Sequence, residues 1–206
     1  PSLYGISDIQ ELNRLFTTLD YNSGYEVNLE GLSKSSGVAK NTIKRYLEYL
    51  EAAFLIRRVE RIDRSAKRFK RATHFKVYLT HPSMRAALFG QIDADSAAMG
   101  AMAETAIFSQ WQHVRLMELY YARWKTGEID IVHLNQTHQS PSWIVEVKWS
   151  DRPYTAHAEL DNCIAFLKNN PGTMQPLTVT SRTIKDADFV YQGLRFWVIP
   201  SSVYAY

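Results

Sequence analysis

The stretch from Gly127 to Ser150 constrains this chain more than any other. It reads Gly-Glu-Ile-Asp-Ile-Val-His-Leu, then a polar loop, then Trp-Ile-Val-Glu-Val-Lys-Trp-Ser. Both halves are β-rich runs, and Asn135 to Ser142, with Pro141, supplies the turn signal between them. Side chains alternate faces along a strand, so Glu128 and Asp130 share one face of the first run, and Glu146 and Lys148 share one face of the second. An antiparallel hairpin in suitable register brings Asp130 beside Glu146, with Lys148 one step further along.

Two carboxylates and an amine converging in this way have a definite chemistry. Carboxylate oxygens are hard ligands suited to Mg²⁺ or Mn²⁺, and Mg²⁺ keeps its remaining positions for water and phosphate oxygens. Such a metal acidifies a bound water and shields phosphate charge, while a nearby lysine orients the water or stabilises developing negative charge. The expectation is phosphodiester hydrolysis, with Asp130 and Glu146 as metal ligands, Lys148 positioning the water and Glu128 as an extra ligand. The bland reading is a solvated hairpin face. The spacing, Asp then about fifteen residues then Glu-x-Lys, resembles the PD-(D/E)xK nuclease superfamily.

With 206 residues and 46% apolar content, the chain has material for one domain or two small ones. It contains no run of about eighteen apolar residues, so no membrane partner is expected. Cys163 is the single cysteine, which suits a reducing, cytoplasmic setting. Charge is unevenly spread. Arg57, Arg58, Arg61, Arg64, Lys67, Arg68, Lys70, Arg71 and Lys76 against Glu60 and Asp63 give that segment +7, within a total of +3. A local excess of this kind suggests a polyanion contact, nucleic acid with DNA the first expectation, against the alternative of an ordinary solvated hairpin.

Ser7 and Gln10 have the form of a capping box for a helix from about Asp8 to Leu19. Asn28 caps a short second helix to about Ser35, Ser36-Gly37-Val38 turns, and Asn41 to Phe54 forms a third helix with Ile43, Tyr46, Leu47, Leu50 and Phe54 inward. Strands over Leu55–Ile62 and His74–Leu79 bracket the basic segment as a wing. The first ninety residues therefore read as a winged helix-turn-helix. Its third helix would offer Asn41, Lys44 and Arg45 to DNA, and its wing Arg64, Lys67, Arg68, Lys70 and Arg71. After a polar hinge from Gln91 to Ser96 come a helix over 97–113, a strand over Leu116–Trp124, the hairpin, a helix over Thr155–Lys168, and strands at Leu177–Thr180 and Phe196–Ile199. The expected class is mixed α/β, with a winged helix-turn-helix over 1–90 and a restriction-endonuclease-like αβββαβ domain over 91–206. The nuclease resemblance implies that an acid from the first helix joins the site, and Glu104 stands in that place beside Asp130, Glu146 and Lys148.

The whole chain also resembles the C-terminal part of a prokaryotic AAA-type ATPase family ending in DUF4143. The resemblance rests on Gly37-Val-Ala-Lys-Asn-Thr-Ile-Lys-Arg-Tyr-Leu, Leu50-Glu-Ala-Ala-Phe-Leu-Ile, Lys76-Val-Tyr-Leu-Thr-His-Pro, Gly127-Glu-Ile-Asp-Ile-Val and Glu146-Val-Lys-Trp-Ser. It implies an ATPase domain as partner in an intact protein. This chain has no G-x-x-x-x-G-K-[ST] and hence no ATP site of its own, and its start at Pro1 in mid-pattern is expected for a piece of such a protein. Two further readings stand beside the nuclease: a non-catalytic DNA- or partner-binding tail regulating that ATPase, and an oligomerisation module using Trp149 and Tyr154. A zinc site at His133 and His138 has no further ligand at suitable spacing.

Overall fold

The computed structural model describes residues 8–69, 73–111, 114, 117–135 and 140–206. It is a mixed α/β structure with a large mixed sheet and several helices. Two compact units divide it: Pro1–Val59 with Thr73–Ser109, and Glu60–Ala72 with Gln110–Tyr206.

The first unit opens with helix α1 (Ile9–Tyr21), strand β1 (Glu26–Asn28), α2 (Leu29–Ser36) and α3 (Lys40–Ala52). Asp8, not Ser7, is the N-cap of α1, its carboxylate accepting from Glu11 N. Ser7 itself lies outside the described residues. Asn28 caps α2 by accepting from Gly31 N, and Gly37 ends that helix at φ 72°, a conformation costly for any residue with a Cβ. Ile43, Tyr46, Leu47 and Leu50 of α3 are buried as their spacing requires. Phe54 is not: it sits beyond the helix at φ 56° and is 78% exposed, because the chain reverses there into the next strand. Strand β2 (Ile56–Ile62) gives its first four residues to this unit, followed by β3 (His74–Leu79), α4 (Ser83–Phe89) and α5 (Met99–Gln110). β1 pairs antiparallel with β3, a strand that sequence alone did not reveal at three residues' length. The core gathers Leu15, Leu19, Leu32, Ile43, Leu47, Leu50, Ile56 and Val77.

The second unit is built on β4 (Leu119–Trp124), β5 (Gly127–Leu134), β6 (Pro141–Glu146), β7 (Leu177–Ser181), β8 (Ala187–Tyr191) and β9 (Leu194–Pro200). The end of β2 pairs parallel with β4; β4, β5 and β6 run antiparallel in turn; β7 is parallel to both β6 and β9; β8 closes the edge antiparallel to β9. Gly127 is required at the β4–β5 turn, where a Cβ would fall 2.5 Å from the Trp124 ring. Pro141 and Ser142, expected in the turn, already belong to β6.

The expected single helix over 155–168 is three pieces: α6 (Arg152–Thr155), a 3-10 turn (His157–Leu160) and α7 (Asp161–Asn169). The break falls at Ala156, with φ −118° and ψ 72°, beside His157 stacked flat on Phe189 at 4.3 Å. Packing against β8 overrides helical propensity here. A short α8 (Ser201–Tyr204) ends the chain. Leu160, Cys163, Ile164 and Leu167 of the helical segment pack with Ile129, Val132, Ile144 and Val179 from the sheet.

One buried charge in the first unit sets a stability prediction. Asp20 is fully buried, and neither carboxylate oxygen accepts a hydrogen bond among the described residues. Burial raises its pKa to about 6 although Arg85 pulls the other way. The folded state therefore binds a proton more tightly than the unfolded state, and this group's contribution to stability falls as pH rises from about 4 to 6. Asp20→Asn is expected to stabilise the protein at pH 7 by roughly 1–2 kcal/mol, each pKa unit being ~1.4 kcal/mol before screening. The gain should shrink toward zero near pH 4 in urea unfolding. A variant less stable than wild type at pH 7 would contradict this.

Candidate metal and phosphate site

The site begins with a defect in β5. Tyr120 pairs with Val132, but Ala122 pairs with Ile129, so Tyr121 alone faces both Asp130 and Ile131. This is a β-bulge, a device that redirects a side chain by inserting one residue into a strand. It breaks the strict alternation, which is why Ile129 and Val132, three apart, join the same core. On the other side of β5 the ladder is regular: Ile131 pairs with Val145. Continued by one residue, this register sets Asp130 across from Glu146. Both acids are buried, at 8% and 3% exposure.

Beyond Glu146 the chain leaves the sheet, so Lys148 lies past the end of β6 rather than on it. Side chains hold the departing backbone. Asp130 Oδ2 accepts from Val147 N at 2.8 Å. The Thr180 hydroxyl accepts from Lys148 N at 2.8 Å and donates to Lys148 O at 3.0 Å. Ser201 Oγ, from the start of α8, lies 3.0 Å from Lys148 O. Lys148 Nζ then donates to Glu146 Oε1 at 2.7 Å. Burial draws the Lys148 ammonium toward lower pKa, but the charges of Glu146 and Asp130 and the bond to Glu146 outweigh it, and the group titrates above the ordinary lysine range. Cys163, completely enclosed in α7, feels the same charges: its thiol is pushed well up, first by burial and then by Glu146.

A further tie stiffens the segment after Lys148. The Asp151 carboxylate accepts from the backbone N–H groups of Arg182, Thr183 and Ile184 and from the Thr183 hydroxyl. Its partial desolvation is outweighed by these bonds, and its pKa is lowered. Thr180 and Ser201 escape a search for acids and bases, and Asp151 does not stand out in one, because their roles are read from where the backbone goes.

As a donor set, Asp130 and Glu146 are two hard carboxylates on neighbouring strands, the number Mg²⁺ takes when it retains most of its waters. Among the described residues, no group of three or more His, Cys, Asp or Glu is gathered for a metal. Glu128, the expected extra ligand, pairs with Arg123 at 3.3 Å. His133 stacks on Trp143 and shares a 2.6 Å hydrogen bond with Ser142 through Nδ1; His138 lies outside the described residues.

Glu104 belongs to the first unit. Its Oε2 accepts from Tyr78 Oη at 2.6 Å and from Lys76 Nζ at 3.3 Å, with Lys76 3% exposed. The acid is held inward by an ion pair with β3. Of the nucleic-acid candidates, Asn41, Lys44 and Arg45 are exposed on α3. Arg64 turns its guanidinium to Ala165 O, at 3.1 and 2.9 Å, and lies over the Trp124 ring. Arg68 lies over Tyr120, 3.7 Å from Glu118 and 3.8 Å from Glu60. Lys67 is exposed, and Lys70 and Arg71 lie outside the described residues.

Residues 1–95 match the model of a domain of unknown function, DUF8612. The match ends before Asp130, Glu146 and Lys148. No curated protein and no solved structure matches the chain.

If Glu146 is the main group keeping the Lys148 ammonium charged, Glu146→Gln must lower the Lys148 titration midpoint. Nuclear magnetic resonance of ¹³C-methylated lysines is expected to show that signal moving downward in pH while exposed lysines stay in place. An unmoved Lys148 signal would contradict the pairing.

Proposed function

We propose that the second unit carries a divalent-cation-assisted phosphodiesterase site for nucleic acid, with DNA as the first substrate to try. The observation that carries this reading is the meeting of Asp130, Glu146 and Lys148 through the β5–β6 register and the 2.7 Å Glu146–Lys148 contact. Asp130 and Glu146 would hold Mg²⁺ or Mn²⁺, which when bound supplies Lewis acidity toward a phosphate oxygen and a nearby water. Lys148 is kept charged by its carboxylate neighbours and so acts as a donor, not a base. It would stabilise negative charge developing on a phosphate oxygen, where a fixed donor in a partly dry site is most effective. Burial of both acids fixes their geometry before substrate arrives.

The element order supports a nuclease-like fold for this unit: the antiparallel run β4–β5–β6 is followed by α7, which connects β6 to the parallel strand β7. Glu104, engaged by Lys76 and Tyr78, is given no part in the chemistry. In the first unit the order α1–β1–α2–α3–β2–β3, with β1 paired to β3, supports a winged helix. On this reading the chain is the tail of an AAA-type ATPase of the DUF4143 kind, and the ATPase domain is its partner.

A second reading, a non-catalytic DNA- or partner-binding tail, is favoured by the exposed Asn41, Lys44 and Arg45 on α3. Incubation with plasmid in Mg²⁺ or Mn²⁺ separates the two. The proposal expects chelator-sensitive cutting, reduced by about 10²-fold or more in Asp130→Asn, Glu146→Gln and Lys148→Ala, the scale of losing one transition-state donor. Asn at position 130 retains an acceptor for Val147 N, so that variant separates charge from architecture. Cutting that persists in all three variants would overturn the site. Salt-sensitive binding with no cutting by the wild-type chain would favour the second reading.

A further inference from the structure

The parallel ladder between β6 and β7 covers Val145 with Thr178 and Glu146 with Val179, and stops there. The following two residues, Val147 and Lys148, would have paired with Thr180 and Ser181 had β6 continued. Side chains instead take over their backbone groups. Asp130 receives Val147 N, and Thr180 takes both Lys148 N and Lys148 O through a single hydroxyl. A hydroxyl can do this because it combines one donor with two acceptor lone pairs.

Thr180 is fully buried on β7, next to the completely buried Val179, so its rotamer is set by packing and not by solvent. Ser201 adds a contact from the other side: its Oγ lies 3.0 Å from both Lys148 O and Ser181 O, sharing one proton between two carbonyls. The Lys148 main chain is thereby fixed at both its N–H and its C=O, outside any strand. Its side chain then has only its own torsions left to reach Glu146.

We infer that Thr180 is the positioning residue of the site, its hydroxyl substituting for strand pairing so that the Lys148 ammonium is presented to the Asp130–Glu146 pair. This rests on the reading of Lys148 as the phosphate-facing donor. Thr180 touches neither substrate nor metal in this scheme and acts only through Lys148. β-Branched Thr meets two demands at once. Its hydroxyl mimics a peptide group, and its methyl belongs in an apolar sheet face. Val keeps the shape and loses the hydrogen bonds; Ser keeps the bonds and loses the methyl.

The test compares wild type, Thr180→Val, Thr180→Ser and Ser201→Ala in the full chain. In Thr180→Val, hydrogen exchange at the Lys148 amide is expected to accelerate about tenfold, the scale set by one or two lost hydrogen bonds, without a matching increase at amides in β8. The ¹³C-methyl signal of Lys148 should move to a lower titration midpoint. DNA cleavage, where measured, should lose turnover with the Michaelis constant unchanged. Thr180→Ser should restore all three, and Ser201→Ala should show a smaller change in the same direction. If Thr180→Val leaves Lys148 exchange and titration as in wild type, Thr180 does not position the lysine. If exchange throughout the second unit rises equally, or Ser fails to rescue, Thr180 is merely structural and the inference fails. If exchange and titration respond as expected but wild-type protein cuts no nucleic acid, the positioning stands and the phosphodiesterase reading falls.

Discussion

Everything at the candidate site depends on how the chain is held where it leaves β6. A peptide N–H stranded in the interior costs roughly 1–3 kcal/mol, so a strand ending inside a protein must hand its donors to something else. Here the first donor passes to an acid: Val147 N to Asp130 Oδ2, across from the strand that carries Glu146. One carboxylate is thus part of the framework as well as of the candidate chemistry. Its place is fixed by a bulge that a plain strand would lack, and its companion Glu146 is fixed by the ladder to β7. The amine completes the cluster only because the residue bearing it is clamped in turn.

This arrangement explains why charge can persist there at all. Two buried carboxylates with nothing between them would push each other toward protonation. A nearby ammonium offsets that, and Lys148 is itself kept charged by the acids it neutralises. The hydroxyls of Thr180 and Ser201 border the cluster, and burial pushes the nearby Cys163 thiol well up. Such a cluster can serve as an internal ion pair or as a seat for a cation and a phosphate, and the same contacts are needed for both.

The part of this that was legible in the sequence is the hairpin. Patterning and spacing put Asp130 and Glu146 on neighbouring strands, whereas Lys148 lies past the end of β6 and is held there by Thr180 and Ser201. The bulge was not legible: nothing about Ile129-Asp130-Ile131 distinguishes a bulged strand from a regular one. Nor were Thr180 and Ser201, since their value arises from a neighbouring backbone far away in the chain. Helix starts show the same contrast. Asn28 is read directly as a cap, whereas α1 takes Asp8 although Ser7 is equally suited by type. The basic segment shows contacts that composition does not reveal. Arg64 spends its guanidinium on a carbonyl, Arg68 lies near two acids, and Lys76 is buried against Glu104. Net charge alone shows none of these contacts.

The most direct measurement is anomalous diffraction from a crystal of the chain soaked in Mn²⁺. The account predicts a single strong peak bridged by the carboxylates of Asp130 and Glu146, with Lys148 Nζ beside it and the peak absent in Asp130→Asn. Soaked crystals with no manganese between those two acids, or with the ion seated elsewhere in the chain, would contradict it.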